Sequence, residues 1–135
     1  MTYLLDTCVI IDLVKGDPGT IDAMKSKSPD QVNISAITEF ELMYGLAQTS
    51  KLKSKSKSIV EAMLSEINIL DFASKEAATA AEIRNHLRAL GTPIGPYDFL
   101  IAATALANDL VLVTSNEKEF ARVENLQIEN WRQHS

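Results

Sequence analysis

The chain has 135 residues, a formal net charge of −5, 46% hydrophobic and 23% charged residues; this balance lies near the globular average and excludes wholesale disorder, collagen-like and coiled-coil architectures. A chain of this length buries one sizeable core and leaves no room for a second domain, so one unit over residues 1–135 is expected. No apolar run approaches the roughly 20 residues that span a bilayer, and the N-terminus lacks the basic, apolar, small-residue order of a signal peptide. A cytoplasmic protein without a membrane partner is expected. Cys8 is the single cysteine, which excludes an intramolecular disulfide and a Cys-based zinc site. The acidity argues at first against a nucleic-acid partner. Carboxylates gathered around a divalent cation would answer that objection, because the metal reverses the local field.

Thr2 to Leu5 is β-prone and ends at Asp6, and the apolar run from Thr7 to Val14 suits a buried helix ended near Gly16. Gly16, Pro18 and Gly19 read as turn residues before a polar helix over Ile21 to Lys27, and Val32 to Ser35 reads as a second strand. Ala36 to Gln48 has helical apolar spacing at Ile37, Phe40, Met43, Tyr44 and Ala47. Ser50 to Ser58 alternates Ser and Lys, which fits a solvated helix start or an RNA-contacting edge; Ile59 to Ile67 continues as helix, and Asn68 to Phe72 reads as a third strand. Lys75 to Leu90 is an alanine-rich helix ended by Gly91, with Pro93, Gly95 and Pro96 in the loop beyond. Phe99 to Leu106 is apolar almost all round and should be a buried helix, followed by strands at Val111 to Thr114 and Leu126 to Ile128. Strands alternating with helices imply an α/β sandwich whose central sheet is mostly parallel.

In such sheets ligands bind beyond the carboxyl ends of the strands, which gives weight to acids placed just after a strand. Asp6 is one, and it reads either as a helix N-cap or as a metal ligand. Asp98 opens the buried helix and reads either as a first-turn carboxylate or as a second ligand. Glu39 and Glu41 stand about 200° apart around a helix, so only one can face a site. Gly45, one turn beyond Glu41, selects Glu41 and leaves Glu39 as a solvated position. Thr114-Ser115-Asn116-Glu117-Lys118-Glu119-Phe120 brings hydroxyl, amide and carboxylate groups to the same sheet edge. No phosphate-binding glycine loop, G-x-S-x-G elbow or H-E-x-x-H occurs. His86 is expected at the surface, as is His134, one residue from the C-terminus.

The segments L-L-D-T-C-V-I-I-D-L, I-T-E-F-E-L-M-Y-G, G-T-P-I-G-P-Y-D-F-L-I-A-A and V-T-S-N-E-K-E-F, in this order, resemble the PIN-domain ribonuclease toxins of VapBC toxin-antitoxin pairs, and the likeness runs from Tyr3 to Trp131. The resemblance implies a PIN-like three-layer sandwich and an acidic pocket holding Mg²⁺, with Mn²⁺ as a substitute. Its acids fall on Asp6, Glu41 and Asp98. The fourth is assigned to Glu119, with Asn116 as a neutral neighbour, although many PIN domains carry Asp where this chain has Asn116. Asp6 and Asp98 would be the inner metal ligands, and Glu41 and Glu119 would orient metal-bound waters or hold a second ion. Thr7, and Thr114 or Ser115 from the opposite strand, are expected to hydrogen-bond these carboxylates. Arg84 and Arg88, one turn apart, read either as phosphate contacts or as solvent-facing partners of Glu82 or another acid.

The function so implied is the toxic component of a type II toxin-antitoxin system, a Mg²⁺-dependent endoribonuclease acting on tRNA or another structured RNA. The competing readings are a PIN-like nucleic-acid-binding or co-repressor module with little nuclease activity, and a phosphohydrolase of related form. A VapB-like antitoxin is the expected partner, silencing the pocket with a basic or apolar segment docked near Met43 and Tyr44, and operator DNA would be bound only through it. A homodimer is expected from the family likeness and from the apolar residues Ile59, Met63 and Leu64.

Overall fold

The computed structural model describes residues 1–48 and 54–132. In chain order the elements are β1 (Tyr3–Leu5), α1 (Thr7–Lys15), α2 (Pro18–Lys25), β2 (Val32–Ser35), α3 (Ala36–Ala47), α4 (Ser54–Glu66), β3 (Asn68–Leu70), α5 (Ser74–Ala89), α6 (Pro96–Ala107), β4 (Val111–Val113), α7 (Glu117–Phe120) and β5 (Ile128–Glu129). The strands form one parallel sheet in the order β3-β2-β1-β4-β5. This is the expected α/β sandwich of PIN type.

Side chains on successive strand residues point to opposite faces, and the sheet separates two apolar clusters accordingly. Tyr3 and Leu5 of β1 join Val9, Ile10, Val32, Ile34, Leu42 and Val60 on one side, where Met63 and Leu64 of α4 also pack. Leu4 faces the other way, against Ile83, Leu87, Ile101 and Phe120. Residues Ile101 to Ala105 of α6 are all buried, as its apolar sequence requires.

Local chemistry moves some boundaries. Helix α2 starts at Pro18, three residues before the expected Ile21, because Asp17 accepts from the Thr20 backbone N–H and Pro18 takes the first helical position, where no N–H is needed. The last strand is Ile128–Glu129, displaced toward the C-terminus from Leu126 to Ile128, and its register is set by Leu112 against Ile128 and Val113 against Glu129. The loop after β4 contains the short helix α7, which the sequence pattern does not predict. Of the Lys-Ser stretch, Ser54 to Ser58 forms the start of α4, with Lys55 and Ser58 exposed; residues 50–53, and His134, lie outside the described residues. Of Ile59, Met63 and Leu64, on which a homodimer is expected together with the family likeness, Met63 and Leu64 pack partly buried against the core, and Ile59 is half-buried.

Chain order reverses at β1: the chain builds outward through β2 to β3, then crosses to β4 and β5 on the other side. The crevice between the carboxyl ends of β1 and β4 is the switch point at which open α/β sheets bind ligands. Asp6 follows β1 directly, Thr114 follows β4, and the Asp6 backbone N–H donates to the Val113 carbonyl across 2.9 Å.

Candidate active site

Asp6 is buried, at 6% exposure. Its reading as a helix N-cap holds. It is the N-cap of α1, accepting from the Thr7 backbone N–H at 2.8 Å through Oδ1, and its Oδ2 accepts from the Thr114 hydroxyl at 2.8 Å. Burial raises its pKa, opposed chiefly by the Thr114 hydroxyl. The Cys8 thiol also lies against Oδ2, at 3.4 Å, and Ser115 Oγ sits 3.3 Å from Cys8 Sγ. Thr114 is therefore the hydroxyl that serves a carboxylate, while Ser115 serves the thiol.

Glu41 is brought in from α3, where Ser35 caps the helix by accepting from the Thr38 N–H. The Thr7 hydroxyl donates to Glu41 Oε1 at 2.7 Å, so this one residue holds two different acids, Asp6 through its N–H and Glu41 through its hydroxyl. Thr38 Oγ1, fully buried, lies 3.1 Å behind the Thr7 hydroxyl. Glu39 is half-buried, less solvated than its reading as ordinary surface implied.

Asp98 and Glu119 come from the first turns of α6 and α7. Pro96 occupies the opening turn of α6, where its fixed φ suits helix initiation. A Cβ on Gly95 would stand 3.0 Å from Asp98 Oδ2 and 3.6 Å from Glu119 Oε1, so glycine keeps the space into which both carboxylates fit. The Gly95 N–H donates to Glu119 Oε1 at 2.6 Å and the Asn116 amide donates to Oε2 at 2.8 Å. These two donors, Gly95 first, hold the Glu119 pKa below its ordinary value. Asp98 is pushed up to about 7, first by burial and then by the charge of Glu119, with Asp6 and Glu41 adding further repulsion. The opposite shifts, Asp98 up and Glu119 down, favour a proton on Asp98 where the two carboxyls meet.

All four acids expected from the sequence thus meet at one sheet edge, together with Thr7, Thr114 and Asn116. Sequence reasoning did not find Thr38, the contact of Cys8 with Asp6, or the role of the Gly95 N–H. The G-P-Y-D motif contained the last, since glycine directly before a proline-started helix leaves a free N–H beside the first-turn acid. As they stand, no three acidic, histidine or cysteine side chains among the described residues lie close enough to hold one ion together. The donor set nevertheless fits a hard divalent cation: it is made of carboxylate oxygens, and their mutual repulsion at Asp98 is the charge imbalance a cation would relieve.

The PIN domain family matches residues 3–126. The chain is a PIN-domain protein of the VapC family. It is 36% identical to the tRNA(fMet)-specific endonuclease VapC of Salmonella typhimurium and 37% identical to ribonuclease VapC2 of Haemophilus influenzae, each time over 97% of this chain and 98% of the relative. Among solved structures it superposes on the VapBC2 complex of Rickettsia felis, bound to a DNA fragment from its promoter, with a TM-score of 0.86, 35% identity and coverage of 97% of this chain and 99% of that one. Membership of the VapC family makes this chain toxin-like in function and hydrolase-like in chemistry. Arg84 and Arg88, of unsettled role in the sequence, lie on α5, and neither forms an ion pair among the described residues. His86 is exposed as expected, 3.8 Å from Glu124.

Proposed function

We propose that this chain is a divalent-metal-dependent endoribonuclease, with Asp6, Glu41, Asp98 and Glu119 as its catalytic acids and Asp6 and Asp98 as the inner ligands of Mg²⁺ or Mn²⁺. The observation that carries the reading is the convergence of four carboxylates from three helix starts and α3 on the β1/β4 switch point. When bound, the cation would lower the pKa of the attacking water and neutralise charge developing on phosphorus. The chain's own part is positional. Thr114 and the Thr7 N–H hold both oxygens of Asp6 at the crevice, the Thr7 hydroxyl turns Glu41 toward it, and the Gly95 and Asn116 donors keep Glu119 ionised. Asp98, raised to about 7 by burial and by its acidic neighbours, would be the acid to release a proton if a cation were held there.

The substrate is RNA, and tRNA is the leading class, in keeping with relatives described as tRNA(fMet)-specific endonucleases. Control belongs to a VapB-like antitoxin, as in the toxin-antitoxin complexes that this fold resembles; DNA in two of those complexes supports operator binding through the antitoxin. An apolar groove lined by Ile10, Ile11, Val14, Leu42 and Val60 runs to Glu41 and suits the apolar part of such a partner. A homodimer is also part of the reading. Its support passes to the exposed cluster of Phe40, Tyr44 and Tyr97, in which Phe40 stacks on Tyr44 at 6.3 Å and meets Tyr97 edge-on at 5.7 Å.

The test is cleavage of RNA oligonucleotides and of bulk tRNA by the pure protein, with Mg²⁺, with Mn²⁺ and with excess EDTA, beside Asp98→Asn. Cleavage that needs the cation and falls by orders of magnitude in the variant supports the reading. Full cleavage in EDTA, or by Asp98→Asn, overturns it.

A further inference from the structure

The acid cluster leaves unexplained how an acidic chain holds a polyanion. Two adjoining grooves on α5 and α6 bear on that. One is lined by Arg84, Leu87, Arg88, Pro93, Ile94, Pro96 and Phe99, and the other, along the outer side of α5, again includes Arg84, Arg88 and Phe99 with Asn85 and Phe72. Neither lining contains a carboxylate, in a chain whose acids outnumber its lysines and arginines by 18 to 13. Arg84 and Arg88 are exposed and, among the described residues, neither is in an ion pair; Glu82, the sequence candidate for that role, pairs with neither. The Arg84 guanidinium lies over the Phe99 ring, 5.6 Å from its centroid, which fixes its plane while leaving N–H edges for an incoming acceptor.

These grooves are continuous with the site. Pro93, Ile94 and Pro96 wall the first one, and Gly95, between Ile94 and Pro96, donates to Glu119. Arg122 also donates to the Pro93 carbonyl at 3.2 Å, so the loop between the grooves and the acids is held from the α7 side by two side chains. Arg84 and Arg88 are four residues apart on one helix, a rise of about 6 Å, comparable to the separation of successive phosphates along one strand.

We propose that Arg84 and Arg88 form a phosphate-binding track, gripping the RNA backbone on the α5 side of the scissile bond; the proposal rests on the ribonuclease reading and assigns to that site its missing positive surface. Planar guanidinium groups suit phosphate oxygens, and two phosphate contacts would give binding a salt dependence that the acid cluster alone cannot. The cut RNA must then extend several nucleotides past the acids, over the 93–96 loop.

The experiment compares wild type, Arg84→Gln/Arg88→Gln and Arg84→Lys/Arg88→Lys, with circular dichroism to confirm that each is folded. RNA binding is measured in EDTA over a range of salt, and cleavage is measured in Mg²⁺ on substrates from a tetranucleotide to tRNA. For the glutamine variant the expected result is at least tenfold weaker binding of tRNA, with the slope of log K against log salt shallower by about 1.4, two contacts at about 0.7 each. Its cleavage defect should lie in KM rather than kcat and should shrink as the substrate shortens, and the lysine variant should recover most of the salt slope. Equal affinity and slope in wild type and glutamine variant, with wild-type cleavage intact, would overturn the track while leaving the nuclease reading in place. A defect of the same size on all substrate lengths would overturn it too. Wild type that neither binds nor cleaves RNA would overturn both.

Discussion

Thr114 and Asp6, 108 positions apart in sequence, are joined by a buried hydrogen bond of 2.8 Å that ties the end of β4 to the end of β1. The acceptor is a carboxylate whose burial already raises its pKa, so the hydroxyl helps keep it ionised. Thr114→Val preserves shape and removes the donor. Mn²⁺ affinity, read by calorimetry, should fall about 10- to 100-fold, and Thr114→Ser should retain most of it. Equal Mn²⁺ affinity in the valine variant would show that the hydroxyl has no part in the site.

The Asp98 carboxyl fixes a pH dependence with a definite sign. Its pKa stands at about 7 in the fold against an ordinary 3.8, so between these values the folded state holds a proton that the unfolded chain has released. Stability of the metal-free protein must then fall as pH rises from about 4 to 7. Asp6, raised by burial, acts in the same direction. Glu119, whose pKa is lowered, stabilises the fold above its ordinary 4.5, and that contribution is lost only as pH falls below it. Thermal melts in EDTA should therefore show a lower Tm at pH 7.5 than at pH 5, with Mg²⁺ restoring stability at the higher pH. Asp98→Asn should flatten the profile; an unchanged profile in that variant would place the proton elsewhere.

Gly95 has an ordinary negative φ, and what restricts it is the space beside it. Gly95→Ala would set a methyl group 3.0 Å from Asp98 Oδ2, and either that carboxylate or the loop must shift. The neighbour must give by a few tenths of an ångström, well short of a misplacement of about 1 Å, and such a shift at an acid proposed as catalytic costs on the order of 10-fold in rate. RNA cleavage should drop by about that factor, while circular dichroism and Tm stay close to wild type. A fully active alanine variant would show that Asp98 tolerates the move.

The segment after β5 is tied back to the first helix by an ion pair with two hydrogen bonds, Arg132 to buried Asp12, at 2.9 and 3.1 Å. Arg132 is about half exposed, so the pair contributes only about 1 kcal/mol. Asp12→Asn should lower Tm by about 4 °C without changing metal affinity. A drop larger than 10 °C would mean that the pair organises more of α1 than its exposure suggests.

The legible parts of this molecule are those in which local and global signals agree. Asp6 after an apolar strand and Asp98 before an apolar helix were readable because strand ends and helix starts are local facts, and the switch point does the rest. Glu41 was chosen over Glu39 from helical angle and from Gly45. Glu119 needed family likeness, because its place depends on α7, a single turn too short to leave a periodic signal. Met63 and Leu64 were ambiguous for the opposite reason: an apolar pair on a helix looks the same whether a core or a second subunit covers it. The early start of α2 was in the letters Asp17-Pro18, where the cap and the first helical position outweigh the turn-forming habit of Pro and Gly.

The apolar groove beside Glu41 yields the last prediction. Ile11 is 43% exposed at the mouth of a groove that it lines with Val14 and the buried Ile10, Leu42 and Val60, and Glu41 lines the same groove. A partner that inserts an apolar segment here reaches the acid cluster with its next polar residue, and an arginine there would pair with Glu41 or Asp98 and oppose the cation. Two consequences distinguish this from docking at a remote surface. Ile11→Asp should weaken the complex with a cognate VapB-like antitoxin at least about tenfold, about 1.4 kcal/mol, because a carboxylate there must be desolvated without a partner. Mg²⁺ should compete with the antitoxin for the wild-type protein, and neutralising an acid by Glu41→Gln should weaken both ligands together. A tight complex that leaves RNA cleavage unchanged, or one indifferent to Mg²⁺ and to both substitutions, would place the antitoxin away from this groove.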